Sequence, residues 1–216
     1  MNIEKARFNM VEQQIRTWDV LDLDVLQLLF VVKREAFVPP AYASLAFIDT
    51  EVPLLNGEAM FTPKLEARIL QELTIKKHEN VLEIGSGSGY MAALLAYKAR
   101  HVTTVEIDLG LKALAEKNLA DYGVSNVTVE HGNGAQGWGD AQYDAIVISG
   151  SLPVLPDKFL QQLKVGGRLF AIVGEAPVMT AEVITRTGTS AWTSTKLFET
   201  NVKTLREAIV PSHFKF

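Results

Sequence analysis

Strand and helix alternate from residue 80 onward, a glycine-rich turn closes the first of those strands, and the fourth strand is apolar through its centre. Together these predict an α/β protein with a doubly wound, mostly parallel seven-stranded sheet over 80–216 and a helical, partly irregular annex over 1–79.

In the annex, residues 4–18 and 22–33 read as two helices, the second carrying Leu23, Leu26, Leu29 and Phe30 at helical spacing. The stretch up to Pro63 is rich in Pro and Ala, shows no sustained period, and reads as irregular with one short helix. Thr62-Pro63 marks a helix start, a hydroxyl N-cap before proline at the first helical position. The helix over 64–73 then sets Leu65, Ile69, Leu70 and Leu73 on one face.

In the core, NVLEIG (80–85) is the first strand and MAALLAY (91–97) lies in the helix after it. HVTTVEI (101–107) is the second strand, and 109–122 the second helix, with Gly123 where a left-handed C-terminal residue belongs. NVTVEHG (126–132) is the third strand and YDAIVIS (143–149) the fourth, apolar as a strand buried on both faces has to be. PDKFLQQL (156–163) is a short helix and GRLFAIVG (167–174) the fifth strand. Residues 181–200 alternate around a Thr-Gly-Thr break and read as an antiparallel hairpin.

Composition removes several function classes. The chain has no cysteine, so thiolate metal sites and disulfides are excluded, and a cytoplasmic location is expected. No apolar run approaches the roughly 18 residues of a spanning helix, so no membrane partner is expected. Net charge is −4, and the basic residues form no stripe, only pairs such as Lys33-Arg34 and Lys76-Lys77, which argues against a nucleic-acid partner. His78, His101, His131 and His213 show no metal-ligand spacing, and no metal is expected.

The turn VLEIGSGSGY (81–90) carries the chemistry. A phosphate-cradling Walker loop needs a lysine after its last glycine, and none follows Gly89. A dinucleotide turn wants G-x-G-x-x-G, but residue 90 is Tyr and the pattern is G-x-G-x-G. S-adenosylmethionine fits better. Glu83 ends the strand where a pyrophosphate would be repelled but an α-ammonium accepted. Gly85, Gly87 and Gly89 let the main chain approach, with Ser86 and Ser88 between them. The opening of the next helix suits the ligand's carboxylate. Glu106, 21 residues after Gly85, stands where an acid accepts both ribose hydroxyls. Asn133 offers an oxygen to an adenine amine, with Gly134 permitting close approach, although Asn-Gly alone is also an ordinary turn. Trp138 either packs beneath that loop or belongs to the core.

From MVEQQI (10–15) through REAFVP (34–39), VLEIGSGSGY, VTTVE (102–106), GNGAQGW (132–138), YDAIVIS and LKVGGRL (163–169), the chain resembles the protein-L-isoaspartate (D-aspartate) O-methyltransferase family. The resemblance implies the S-adenosylmethionine-dependent methyltransferase fold and methyl transfer to the abnormal carboxylate of an isoaspartyl residue in a protein or peptide. It also implies that 85–89, Glu106 with Ile107, and Asn133 with Gly134 bind the cofactor. Members usually carry Asp at the position of Asn133, which keeps an acceptor here but loses the charge.

The acceptor segment departs from the family pattern Gly-x-Thr-x-Ser-x-Pro. Anchored on Pro63, this chain reads GEAMFTP, so Ala59 replaces the Thr and Phe61 the Ser, with Met60 between them. Thr62 stands one position away and either substitutes for the lost hydroxyls or caps the helix, the cap being the favoured account. SGSLP (149–153) follows the fourth strand, where acceptor-facing groups are expected, and LREAIVPSHFKF (205–216) is expected to cover the acceptor side. Two alternatives stay open: methylation of a different acceptor, a protein or an unidentified small acceptor, through a more apolar pocket, and a non-catalytic S-adenosylmethionine-binding protein.

Overall fold

The computed structural model describes residues 2–211. Helix α1 (Ile3–Asn9) is capped by the Asn2 side chain, which accepts the Lys5 N–H at 3.0 Å. The helical path continues through a π turn over Met10–Ile15 and a 3₁₀ turn over Arg16–Trp18, and ends where Asp19 turns left-handed. In α2 (Leu23–Val31) the Asp22 carboxylate accepts the N–H groups of Asp24 and Val25. The face it buries is Val25, Leu26, Leu28 and Leu29. Leu23 does not join it: as the first helical residue it is 69% exposed.

The irregular stretch that follows forms 3₁₀ turns and a two-residue hairpin of β1 (Val52–Pro53) and β2 (Ala59–Met60), with Val52 opposite Met60. Strands this short have no period for a sequence to display. Helix α3 (Pro63–Leu73) has Thr62 at its N-cap by backbone geometry alone, because the hydroxyl makes no cap hydrogen bond. Only the backbone half of the expected cap is present. Its buried face holds Leu65, Ile69, Leu70 and Leu73 as expected.

The alternating core follows in order: β3 (Asn80–Ile84), α4 (Tyr90–Lys98), β4 (His101–Glu106), α5 (Leu109–Tyr122), β5 (Val127–His131), β6 (Tyr143–Leu152), α6 (Asp157–Gln161), β7 (Leu163–Glu175), β8 (Val178–Gly188) and β9 (Ala191–Thr200). The seven-stranded sheet runs β5-β4-β3-β6-β7-β8-β9, parallel from β5 to β7, with β8 and β9 added antiparallel. The chain builds outward from β3 to β5, then crosses back to lay β6 on the other side of β3. That reversal is the switch point, where a ligand crevice opens beyond the carboxyl ends of β3 and β6. Strand β6 is longer than expected and takes in Ser149, Gly150, Ser151 and Leu152, with a register shift against β7 between Val147 and Ser151.

One hydrophobic cluster joins annex and sheet, with Leu29, Leu65 and Ile69 packed alongside Val81, Leu94 and Phe170. A second covers the opposite face around Leu82, Ile146, Phe159 and Leu169. Arg168 of β7 binds the end of α3: it donates to the carbonyls of Leu73 and Thr74, which the helix leaves unpaired, and to both oxygens of Glu79, at 2.6 and 2.8 Å. No helix among the described residues is long and apolar enough to cross a membrane.

Candidate active site

The three glycines of the turn all take left-handed backbone angles, but for different ends. At Gly85 (φ 97°) a Cβ would stand 2.9 Å from the Ser149 carbonyl oxygen, so only glycine lets β3 and β6 close this tightly. Gly87 (φ 52°) donates its N–H to Glu106 Oε2 at 3.0 Å. Gly89 (φ 84°) faces away from the pocket: a Cβ there would meet the Ala115 carbonyl and Leu119 at 3.2 Å. Its missing side chain lets α4 pack on α5, which differs from the ligand-approach role expected for it. Ser86 and Ser88 are buried and line the pocket with Gly85 and Gly87.

Two carboxyls flank this turn. Glu83 is fully buried; its oxygens accept hydroxyls from Thr104 at 2.7 Å and Ser149 at 3.0 Å, and Ser86 Oγ lies 2.8 Å behind Thr104 Oγ1. Burial pushes this carboxyl up to about 8 against the two hydroxyl bonds, with Glu106 and Glu66 adding repulsion. Glu106, at the end of β4, is oriented by two main-chain donors, Gly87 N to Oε2 and Asp108 N to Oε1, both at 3.0 Å. Each oxygen keeps a lone pair for a further donor.

On the next side, Ile107 and Gly134 line the pocket, and a Cβ on Gly134 would meet Ile84 at 2.7 Å. Asn133 lines it too, but its amide is engaged: Oδ1 accepts the Ala135 N–H at 2.9 Å and Nδ2 donates to Glu207 at 2.8 Å. The oxygen expected to face an adenine therefore has one lone pair left. Trp138 packs its ring on Gly132, directly before Asn133, and sits at the edge of the second cluster, so both roles considered for it hold at once.

On the side expected to meet the acceptor, Ala59 and Phe61 line the pocket. Met60 turns into the core at 5% exposure, and Thr62 is absent from the lining. Arg34 of the REAFVP segment fixes this loop: it donates to the Phe61 carbonyl at 2.7 Å and to Glu66 at 3.2 Å. Glu66 is itself buried against the pocket, and desolvation lifts its carboxyl to about 7 despite Arg34.

Lys203, Thr204, Leu205 and Arg206 of the C-terminal segment also line the pocket. Leu205 packs against Gly85 and Gly150, beside a cavity of about 180 Å³. Residues 212–216, with His213, lie outside the described residues. Glu51, Glu58, Glu66 and Lys203 carried no sequence signal, because each reaches the pocket through a turn, a helix flank or the C-terminal segment; Arg206 belongs to the 205–216 stretch that was expected near the pocket, though nothing singled it out.

A doubly wound sheet whose switch-point pocket combines a glycine turn with two carboxyls is the arrangement expected of an S-adenosylmethionine-dependent methyltransferase, and the relatives of the chain bear this class out. Residues 5–205 match the model of the family protein-L-isoaspartate(D-aspartate) O-methyltransferase (PCMT). The chain is 43% identical over 166 residues to the protein-L-isoaspartate O-methyltransferase of Rhodopseudomonas palustris, covering 76% of each chain. With that of Petrotoga mobilis it shares 34% over 188 residues, 86% of this chain and 88% of the relative. The chain belongs to this family. In fold it is similar to a PCMT from Plasmodium falciparum solved with S-adenosyl-L-homocysteine, at TM-score 0.82 and 21% identity over 96% of this chain and 99% of that one.

Proposed function

We propose that the protein transfers a methyl group from S-adenosylmethionine to the carboxylate of an isoaspartyl residue in a protein or peptide, in the cytoplasm. The observation that supports this most is the pairing of the Gly85–Ser149 close approach with Glu83 and Glu106 around one pocket, in a member of this family. The donor set fits the cofactor: two carboxyls at the turn suit an ammonium and ribose hydroxyls, and disfavour a phosphate.

When bound, S-adenosylmethionine supplies an electrophilic sulfonium methyl group. In this reading Glu83 holds the ammonium, the N–H groups opening α4 meet the ligand carboxylate, and Glu106 accepts the ribose hydroxyls with the oxygen lone pairs its main-chain donors leave over. Asn133 and Ile107 border the adenine. An acceptor carboxylate is already ionised at neutral pH, so the protein's task is to align an oxygen and exclude water. The Arg34 bond to the Phe61 carbonyl keeps the acceptor wall in place.

A second reading is favoured by Ala59 and Phe61, which give that wall a methyl and a phenyl group in place of two hydroxyls: an acceptor more apolar than an isoaspartyl residue. Calorimetry with S-adenosylhomocysteine, beside a methyl-transfer assay on an isoaspartyl peptide and its normal aspartyl counterpart, decides between them. Cofactor binding with turnover on the isoaspartyl peptide alone is the expected result. Binding without turnover there selects the second reading or a non-catalytic binder, and absence of binding removes the enzyme assignment.

A further inference from the structure

A carboxylate acceptor is met by hydrogen-bond donors or positive charge; with Ala59 and Phe61 in place of the two hydroxyls, the charge in this pocket gains weight. Glu51, Glu58, Glu66, Glu83 and Glu106 line it, against Lys203 and Arg206 among the described residues. Both cations sit on the C-terminal segment, which is pinned to β6: Ser151 N donates to the Lys203 carbonyl at 3.0 Å, and Leu205 N to the Ser151 carbonyl at 2.9 Å. That bridge fixes where the two side chains start.

The two are not equivalent. Arg206 lies between two carboxylates, with Nε on Glu58 at 3.2 Å and both terminal nitrogens on Asp108 at 3.1 Å, so its charge is already matched although two of its five N–H groups stay free of a bond among the described residues. Lys203 Nζ donates to the Gly57 carbonyl at 2.9 Å and to Glu58 at 2.8 Å. An ammonium has three N–H groups, so one has no acceptor among the described residues. Both of its partners lie on the turn that runs into Ala59 and Phe61, the wall that lost its hydroxyls. The side chain is 53% exposed, open to an incoming anion. An ammonium meeting a carboxylate makes a hydrogen bond in which both partners are ionised, which a hydroxyl does not.

We infer that Lys203 anchors the acceptor carboxylate, and that Arg206 positions it by holding Glu58 on Asp108. This rests on the isoaspartyl reading above and adds the residue that supplies the acceptor's counter-charge.

The test uses the full chain with Lys203→Met and Lys203→Arg, each checked for an unchanged thermal midpoint. Steady-state methyl transfer to an isoaspartyl peptide is measured over a salt series, and S-adenosylhomocysteine affinity by calorimetry. Lys203→Met is expected to raise KM for the peptide about tenfold or more, as for a lost hydrogen bond to a charged group. Turnover at saturation and S-adenosylhomocysteine affinity stay the same, Lys203→Arg restores most of the KM, and KM rises less with salt in the Met variant than in the parent. An unchanged KM in Lys203→Met overturns the proposal. So does a loss of S-adenosylhomocysteine affinity equal to the change in KM, which would make the segment only a cover for the nucleoside. No isoaspartyl turnover in the parent, with S-adenosylhomocysteine still bound, removes instead the reading on which the proposal rests.

Discussion

Cofactor binding should release a proton, and Glu83 is the reason. Its carboxyl, shifted by burial from an ordinary 4.5 to about 8, should be mostly protonated at pH 7 in the free protein. An adjacent cation lowers a carboxyl by about 1–3 units, so an ammonium held there would bring it to roughly 5–7. At pH 7 the release is then roughly 0.4 to 0.9 proton per ligand, and affinity climbs with pH until it levels off above about 8. The free protein should show the opposite trend: with the folded carboxyl raised above its unfolded value, the stability this group contributes should fall as pH rises from about 4.5 to 8.

Calorimetry of S-adenosylhomocysteine in two buffers of different ionisation enthalpy reads the proton count directly. Glu106 and Glu66 are the charged neighbours that act on Glu83, and Glu66 also titrates near 7. Glu83→Gln separates them: the buffer dependence should vanish and affinity drop about tenfold or more. A slope of zero in the parent protein, or an unchanged slope in Glu83→Gln, would refute the reasoning, the second by moving the proton to Glu66.

Other outcomes follow from the same geometry. Gly85→Ala puts a methyl 2.9 Å from the Ser149 carbonyl at a left-handed position; it should lower the unfolding free energy by about 2 kcal/mol and reduce S-adenosylhomocysteine affinity, read by denaturation and calorimetry. Ala59→Thr with Phe61→Ser restores the family's hydroxyls and should raise kcat/KM on an isoaspartyl peptide at least about tenfold, while any more apolar acceptor loses ground. Arg168→Met strands Glu79 and two helix-end carbonyls and should cost about 3 kcal/mol in urea denaturation. Because Arg168 and the Lys76 N–H hold the Glu79 carboxyl below its usual range against burial, that loss should be largest above pH 5 and shrink as the carboxyl protonates.

What could be read from the sequence was what short-range chemistry writes. The glycine turn, Glu83 and Glu106 are legible because a strand, a tight turn and a helix start fix their relations within a few residues, and parallel pairing of β3 with β4 does the rest. The acceptor wall was legible only as a departure from a pattern. Glu58 and Lys203 lie 145 residues apart and meet through the two-residue hairpin and the bridge to β6, neither of which has a period. Gly89 shows the limit inside a motif: its spacing matched the ligand turn, yet the neighbour that demands glycine is α5. Leu23 fits the helical stripe in the same nominal way and stays exposed, since periodicity does not say where the core begins.

The family departures are not scattered. Ala59 and Phe61 line the pocket beside Glu58, which is bound by Lys203 and Arg206; the next residue, Glu207, accepts the Asn133 amide at 2.8 Å. An aspartate in place of Asn133, the usual family residue, would face Glu207 with like charge and no donor. The neutral amide and the acidic end of this segment thus account for each other: one supplies N–H, the other accepts it. Glu207 ties this segment to Asn133 and Lys203 ties it to Glu58, so the one segment holds two sides of the pocket, and a change in it would be felt at both.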